Sequence, residues 1–176
     1  MCWSREDYSK PSQFLIDNSE LLPAGKALDI AMGSGRNTLY LAEQGLEVEG
    51  IDISDEDIQQ ALNTALERGI KIFAHAVDIE GSDYRIKKDA YDLIICFNYL
   101  YGPLIPMIKD GLRKGGIVIY ETYLVEQADY GKPKNPAYLL KHNELLDMFR
   151  DLRCLRYREG MIKGRGFVAS IIAEKV

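Results

Sequence analysis

Along this chain, short apolar runs alternate with stretches in which apolar residues recur at helical spacing. The runs predict five strands, at residues 26–30, 46–51, 70–77, 91–97 and 117–123. The intervening stretches predict helices at residues 36–44, from 54 or 55 to about 68, and at 104–113. Strands that alternate with helices are typical of βαβ units, which build a parallel sheet.

The pattern changes after residue 123. Residues 124–136 carry a glycine and two prolines and predict a long irregular loop on the substrate side. A helix capped by Asn143 is expected at 144–149. Two last strands, at 152–158 and 167–174, flank a glycine-containing segment and predict a hairpin. The sequence therefore predicts one α/β domain over residues 1–176, with helices around a seven-stranded, mostly parallel sheet.

Composition narrows the classes of protein that fit. The chain has 176 residues, 47% of them hydrophobic, and a formal net charge of −5. An acidic chain has no bulk electrostatic attraction to nucleic acid or anionic membranes, and no apolar run has the length of a membrane span. Its three cysteines are odd in number and form no C-x-x-C pair, which disfavours disulfides and zinc. Because residues 1–10 lack an apolar signal core, we expect a cytoplasmic protein.

Candidate chemistry begins directly after the first predicted strand, where Gly33 and Gly35 precede a helix. Closely spaced glycines at such a turn let the backbone approach a nucleotide-like ligand. A complete dinucleotide fingerprint needs a third glycine at position 38, where this chain has Thr38. Asp52 ends the second strand, where a carboxylate either holds both ribose hydroxyls or caps the next helix.

The third predicted strand ends at another acid, Asp78. Ligands of a doubly wound sheet bind at the carboxyl ends of its strands, so this carboxylate either accepts a hydrogen bond from an adenine amino group or is solvated surface. Ile53 and Ile79 each follow one of the two acids, and together they could enclose a purine ring.

In order along the chain, the segments ALDIAMGSGRNTLYLAEQG, GIDIS, VDIE, YDLIICFNYLY and LRKGGIVIYETY resemble the successive motifs of class I S-adenosylmethionine-dependent methyltransferases. The segments GSGRNTLYLA and KNPAYLL…ELLDMF resemble the tellurite-resistance-type (TehB-like) subgroup. The resemblance runs from about Lys26 to the C-terminus. It implies a Rossmann-like sheet with strand order 3-2-1-4-5-7-6 and an antiparallel strand 7.

The resemblance also implies a cofactor, S-adenosylmethionine, with S-adenosylhomocysteine as the product. Gly33 and Gly35 would line its methionine part, Asp52 would hold the ribose, and Cys96 would face the sulfonium. The residues 1–24 would form an N-terminal segment and possible lid, with aromatic residues at Trp3 and Tyr8. The full cofactor-binding set is Ala31, Gly33, Gly35, Asp52, Ile53, Asp78, Ile79 and Cys96.

The candidate substrate pocket combines basic and aromatic residues near the same edge of the sheet: Arg36, Tyr99, Tyr101, Tyr123 and Arg165. Arg36 begins a helix, where a cation opposes the helix dipole, so it is expected to bind the cofactor carboxylate, an internal acid or an anionic substrate. Arg165, in the final hairpin, either joins a basic cluster for an anionic acceptor or is solvated surface. Tyrosine faces attract cations, but they also pack as half-buried residues.

The function indicated is methyl transfer from S-adenosylmethionine to a small-molecule acceptor such as a thiol or a chalcogen oxyanion. Displacement at an activated methyl group needs mainly alignment, which agrees with a sequence that shows no triad and no metal cluster. The alternatives are a protein methyltransferase, a non-catalytic S-adenosylmethionine-binding protein and, with less support, an NAD(P)-dependent oxidoreductase. We expect a monomer or homodimer that binds no metal, nucleic acid or membrane.

Overall fold

The computed structural model describes residues 7–81 and 83–176. Within them, seven strands form one sheet in the order β3-β2-β1-β4-β5-β7-β6. The strands are β1 (Lys26–Ile30), β2 (Glu47–Asp52), β3 (Phe73–Ala76), β4 (Tyr91–Phe97), β5 (Leu112–Tyr123), β6 (Arg153–Ile162) and β7 (Gly166–Glu174).

The pairing directions agree with the order that the resemblance implies. Strand β1 lies parallel between β2 and β4, β3 is parallel to β2, and β5 is parallel to β4. Strand β7 runs antiparallel to both β5 and β6. The predicted Rossmann-like sheet, with its antiparallel strand 7, is therefore confirmed.

Helices pack on both faces of this sheet. They are α1 (Gln13–Asp17), α2 (Arg36–Glu43), α3 (Asp55–Arg68), α4 (Leu104–Gly111), α5 (Gln127–Tyr130) and α6 (Glu144–Met148). Strand β4 is apolar throughout its centre because successive side chains contact opposite cores. Leu93 and Ile95 join the core that contains residues of α1 and α2, while Ile94 and Cys96 join the core that contains residues of α4 and α6. No helix in the described ranges is long and apolar enough to cross a membrane.

Several boundaries differ from the sequence prediction. Strand β3 is shorter than predicted, since it forms an exposed edge of the sheet whose side chains gain little from burial. Helix α1 was not predicted, and the predicted loop 124–136 contains α5. Gln127 of α5 is buried and accepts a hydrogen bond from Phe167 N in β7, which orders that loop. Asn143 precedes α6, but its side chain makes no capping hydrogen bond.

The turn between β1 and α2 packs closely against α3. A Cβ atom on Gly35 would lie 2.8 Å from the Cβ of Ala61, and the φ of Gly35 is left-handed at +83°. Gly45, which follows α2, also has a left-handed φ, +92°, but it has open space around it.

These two glycines separate the backbone cost from the packing cost. Gly45→Ala should lower the free energy of unfolding only by the cost of a left-handed alanine, about 1–2 kcal/mol. Gly35→Ala should lower the free energy of unfolding by roughly 1–3 kcal/mol more, because the added methyl group overpacks the contact with α3. Equilibrium denaturation of both variants measures the difference. Equal losses would show that the turn does not pack tightly on α3.

Candidate functional site

A cleft opens at the edge of the sheet where the first four strands end; we name it the edge cleft. Strand order reverses between β1 and β4, and ligands of open α/β sheets bind outside the strand ends at such a point. The edge cleft has a volume of about 630 Å³, and its lining residues are Ala31, Asp52, Ile53, Val77, Asp78, Ile79, Glu80, Gly81 and Tyr99.

Asp52 connects the two backbone segments beside this cleft. Its Oδ2 accepts a hydrogen bond from Gly33 N at 2.8 Å, and its Oδ1 accepts one from Ser54 N at 3.0 Å. The capping residue of α3 is Ser54, whose Oγ accepts from Asp57 N at 3.2 Å. Because each carboxylate oxygen has further lone-pair sites, Asp52 can also accept hydrogen bonds from a ligand at the cleft.

The second acid, Asp78, is oriented by the turn that follows β3. Its Oδ1 accepts hydrogen bonds from Glu80 N at 3.1 Å and Gly81 N at 2.9 Å. Glu80 extends the acidic lining and accepts a hydrogen bond from the Tyr99 hydroxyl at 2.8 Å. Burial and this bond to Glu80 raise the pKa of Tyr99, so its hydroxyl stays protonated.

The apolar part of the cleft consists chiefly of two isoleucines. Ile53 is 70% exposed, although it directly follows a buried strand, and Ile79 is half-buried. An exposed isoleucine in a cleft gains stability when an apolar ligand surface covers it. Among the described residues, three carboxylates and no lysine or arginine line this cleft, so the electrostatic potential of this lining favours a cation.

The glycine turn, residues 31–35, lies beside the edge cleft. Gly33 has a left-handed φ of +54° and open space where its Cβ would be, whereas Gly35 faces α3. Ala31 lines the cleft with a left-handed φ of 56°, which is strained for a residue with a Cβ. Neither glycine is a lining residue of the cleft, but Gly33 N bonds to the lining residue Asp52, whereas Gly35 packs against Ala61 of α3.

Beneath this turn lies a buried acid that the sequence prediction missed. Asp29 is 2% exposed and accepts a hydrogen bond from Thr38 Oγ1 at 2.7 Å. Burial raises the pKa of Asp29 to about 7. The hydroxyl of Thr38 gives the buried carboxyl group of Asp29 a hydrogen-bond partner. This explains why threonine stands where a dinucleotide fingerprint has its third glycine.

The five predicted substrate-pocket residues do not form one pocket. Tyr99 lines the edge cleft, while Tyr101 lines a neighbouring cavity of about 420 Å³ that also contacts Glu80. Tyr123 is buried. Arg165 lines a further cavity together with the other basic residues of the final hairpin, Arg158 and Lys163, whereas Arg36 lines a separate one.

Arg36 contacts the N-terminal segment. Its guanidinium lies 4.9 Å from the centre of the Tyr8 ring, and its Nη1 donates to the carbonyl oxygen of Lys10 at 3.1 Å. Tyr8 also shares a hydrogen bond of 2.8 Å with the Tyr123 hydroxyl. Trp3, the other aromatic residue of the possible lid, lies outside the described residues.

Arg165 lines a cavity of about 460 Å³ between the N-terminal segment and the β6–β7 turn, which we name the hairpin cavity. Its side chain is only 6% exposed and pairs with Glu121 at 2.8 Å. It is thus neither solvated surface nor a free cation. The sequence prediction missed Glu121 because the pairing spans 44 positions along the chain.

Cys96 is fully buried in the core, so its thiol does not contact the edge cleft. Strand alternation explains this, since the side chain of Cys96 faces α4 and α6 instead of the strand end. Across residues 7–81 and 83–176, no group of three or more His, Cys, Asp and Glu side chains is arranged to hold a metal ion.

Comparison with known proteins identifies the family of this chain. A family model described as tellurite resistance protein TehB matches residues 7–165 of the chain. The chain belongs to this family. The resemblance to class I methyltransferases of the tellurite-resistance type is thereby confirmed.

Among relatives, this TehB-family chain is 24% identical over 151 residues to a probable S-adenosyl-L-methionine-dependent methyltransferase TehB of Haemophilus influenzae. The match covers 84% of this chain and 52% of that protein, so the chain spans about half the length of that relative.

Two solved structures show the same fold. The crystal structure of TehB from Haemophilus influenzae matches with a TM-score of 0.78 and 22% identity, covering 94% of this chain and 62% of that one. A geranyl diphosphate C-methyltransferase from Streptomyces coelicolor A3(2), in complex with Mg²⁺, geranyl diphosphate and S-adenosyl-L-homocysteine, matches with a TM-score of 0.70 and 16% identity. That match covers 93% of this chain and 79% of the other.

The raised pKa of Asp29 predicts a specific pH dependence of stability. The folded protein keeps this proton up to about pH 7, whereas the unfolded chain releases it near the ordinary value of 3.8. The contribution of Asp29 to the free energy of unfolding should therefore fall between about pH 4 and pH 7.

Asp29→Asn should remove this loss, because an amide keeps an acceptor for Thr38 and does not ionise. Urea denaturation at several pH values should give equal stability for both proteins near pH 4. The variant should be more stable, by up to a few kcal/mol, at pH 8. The same pH dependence in both proteins would contradict a protonated Asp29.

Proposed function

We propose that this protein transfers a methyl group from S-adenosylmethionine to a small-molecule acceptor. The observation that carries the proposal is the edge cleft, where carboxylates and exposed isoleucine surface meet beside the glycine turn. Membership of the TehB family and the similarity to the probable methyltransferase of Haemophilus influenzae support the same reaction.

The residues of the cleft fit this cofactor group by group. Asp52 would accept hydrogen bonds from the ribose hydroxyls, and its bonds to Gly33 N and Ser54 N already fix its carboxylate. Asp78 would accept from the adenine amino group, with Ile53 and Ile79 against the purine ring. The open space at Gly33 would take the methionine part.

When bound, the cofactor supplies a methyl group on a positively charged sulfur that is already a good leaving group. The protein then has to bind and orient the cofactor and the acceptor and to exclude water. Such positioning supplies up to about 7–11 kcal/mol of barrier reduction. The acidic lining of the edge cleft favours the positive charge. The N-terminal segment, held by Tyr8 and Arg36, covers the start of α2 next to the glycine turn.

The acceptor classes that fit best are a thiol and a chalcogen oxyanion. A thiol ionises easily, with a pKa of about 8.5, and an oxyanion is already charged near neutral pH, so neither requires a dedicated general base. The family description, which refers to tellurite resistance, agrees with the second class.

Three alternatives remain for the experiments to separate. A protein methyltransferase needs a docking surface for a polypeptide beside the edge cleft. A non-catalytic protein would bind S-adenosylmethionine without turnover. An NAD(P)-dependent oxidoreductase is disfavoured by Thr38, whose hydroxyl bonds to Asp29 where a dinucleotide fingerprint has glycine.

Cofactor choice is the first test. Calorimetry should show micromolar-range binding of S-adenosylmethionine and S-adenosylhomocysteine, and much weaker binding of NAD and NADP. Production of S-adenosylhomocysteine should then be measured with thiols, tellurite, selenite, amines and carboxylic acids. Tight NAD binding without S-adenosylmethionine binding would contradict the proposed function, and binding without turnover would favour a non-catalytic protein.

The ribose role of Asp52 gives a second test. Asp52→Ala should weaken S-adenosylhomocysteine binding roughly tenfold to a hundredfold, since a lost charge-assisted hydrogen bond costs about 1.5–3 kcal/mol. Ser54→Ala is the matched control. It removes the cap of α3, at about 1 kcal/mol of stability, and keeps the carboxylate. If both variants bind the cofactor as the wild type does, Asp52 only organises the backbone.

A further inference from the structure

Arg165 ties the β6–β7 turn to the ends of β4 and β5. Its Nε donates to Glu121 Oε1 at 2.8 Å, and its Nη1 donates to the Tyr123 hydroxyl at 2.7 Å. Its Nη2 donates to Asn98 Oδ1. Within residues 7–81 and 83–176, this buried guanidinium therefore binds at least three side chains at two neighbouring strand ends.

Glu121 is the charge that holds this guanidinium in place. Its side chain is 1% exposed, and it also binds Arg158 at 3.0 Å and Ser170. Burial favours the protonated acid, but Arg165, Ser170 and Arg158 outweigh it and lower the pKa of Glu121. An uncompensated charge in this position would be strongly destabilising, so the pair fixes the position of Arg165.

Asn98, which directly follows β4, is held in an unusual backbone conformation. Its φ is left-handed at 62°, like that of Ala31 at the end of the neighbouring strand β1. Strained residues of this kind persist where the surrounding structure fixes them, and they occur often at functional sites. The next residue, Tyr99, lines the edge cleft, and Arg165 lines the hairpin cavity. Asn98 is thus next to a lining residue of each cavity, Tyr99 along the chain and Arg165 through its hydrogen bond.

The contact with Arg165 also determines which group of the Asn98 amide is available to bind a ligand. A guanidinium can only donate hydrogen bonds, so the oxygen of the amide must face it. The NH₂ group of Asn98 is then the part that is left to bind another molecule. An amide NH₂ group favours ligands with lone pairs over ligands that offer N–H donors.

We propose that Asn98 orients the methyl acceptor through its NH₂ group. Arg165, held by Glu121, is the positioning residue that fixes the orientation of the Asn98 amide. The inference rests on the proposed function and deepens it. It assigns the acceptor to the class with an exposed lone pair and negative charge, a thiolate or an oxyanion. A protonated amine would present its N–H groups to the NH₂ of Asn98 and be disfavoured.

Asn98→Asp distinguishes this role from a structural one. Aspartate has nearly the same shape and pairs at least as well with Arg165, so the fold and the β6–β7 tie should be retained. It replaces the NH₂ donor with a negatively charged oxygen. With tellurite and a small alkyl thiol as acceptors, kcat at saturating S-adenosylmethionine should fall on the order of tenfold to a hundredfold. The affinity for S-adenosylhomocysteine and the thermal unfolding midpoint should change little.

The positioning role of Arg165 has its own matched pair of variants. Arg165→Met and Arg158→Met each remove a cation from the same Glu121 carboxylate, but Arg158 bonds to Ser170 and Glu121 instead of Asn98. Both should lower stability. Only Arg165→Met should lower kcat by about tenfold or more when assayed well below its unfolding midpoint.

The outcomes separate the inference from the proposed function. Wild-type turnover with kcat unchanged in Asn98→Asp would overturn the orienting role. Equal kcat in the two arginine variants would overturn the positioning role of Arg165. If the wild type binds the cofactor but methylates no acceptor, the proposed catalysis fails and the inference fails with it.

Discussion

The carboxylate of Asp52 joins the segments on which the edge cleft depends. It ends β2, binds the backbone N–H of Gly33 in the glycine turn, and binds the backbone N–H of Ser54 at the start of α3. Charge-assisted hydrogen bonds of this kind are stronger than neutral ones. The end of β2, the left-handed turn after β1 and the direction of α3 are therefore fixed relative to one another before any ligand binds.

The edge cleft and the hairpin cavity differ in the charges of their lining residues. The edge cleft carries acids without basic partners among its lining residues, which suits a cationic ligand. The hairpin cavity contains two arginines, Arg158 and Arg165, that both pair with the buried Glu121. These two arginines therefore bind other parts of the protein and join β6 and the β6–β7 turn to the ends of β4 and β5. Asn98 bonds to Arg165 of the hairpin cavity and directly precedes Tyr99 of the edge cleft, which is why we place the proposed methyl acceptor beside it.

The sequence predicted the features that depend on local pattern. Strand β4 was found because a strand buried on both faces is continuously apolar, and Asp52 and Asp78 were placed at the cleft because acids that end parallel strands share one edge. The edge strand β3 was overestimated, since its apolar residues are not all buried. Helix α5 was missed because Gly131 and Pro133 indicate a loop, whereas the burial of Gln127 against β7 is a tertiary effect.

The substrate residues were harder to predict for a related reason. Arg36 and Arg165 both lie near the same sheet edge, but the partners that fix them, Tyr8 and Glu121, are far away in sequence. Glu80 was also missed, although it follows Asp78 by two positions and the turn after a strand end is a place to look for further ligand contacts. Asp29 was quoted as part of a motif, but only its burial reveals an acid that needs Thr38.

A crystal structure of the protein with S-adenosylhomocysteine tests the central claim most directly. The account predicts electron density for the adenosyl group in the edge cleft. Both ribose hydroxyls should lie within hydrogen-bond distance of Asp52, and the purine ring should contact Ile53 and Ile79. Density for the ligand in the hairpin cavity, or a ribose without contact to Asp52, would contradict it.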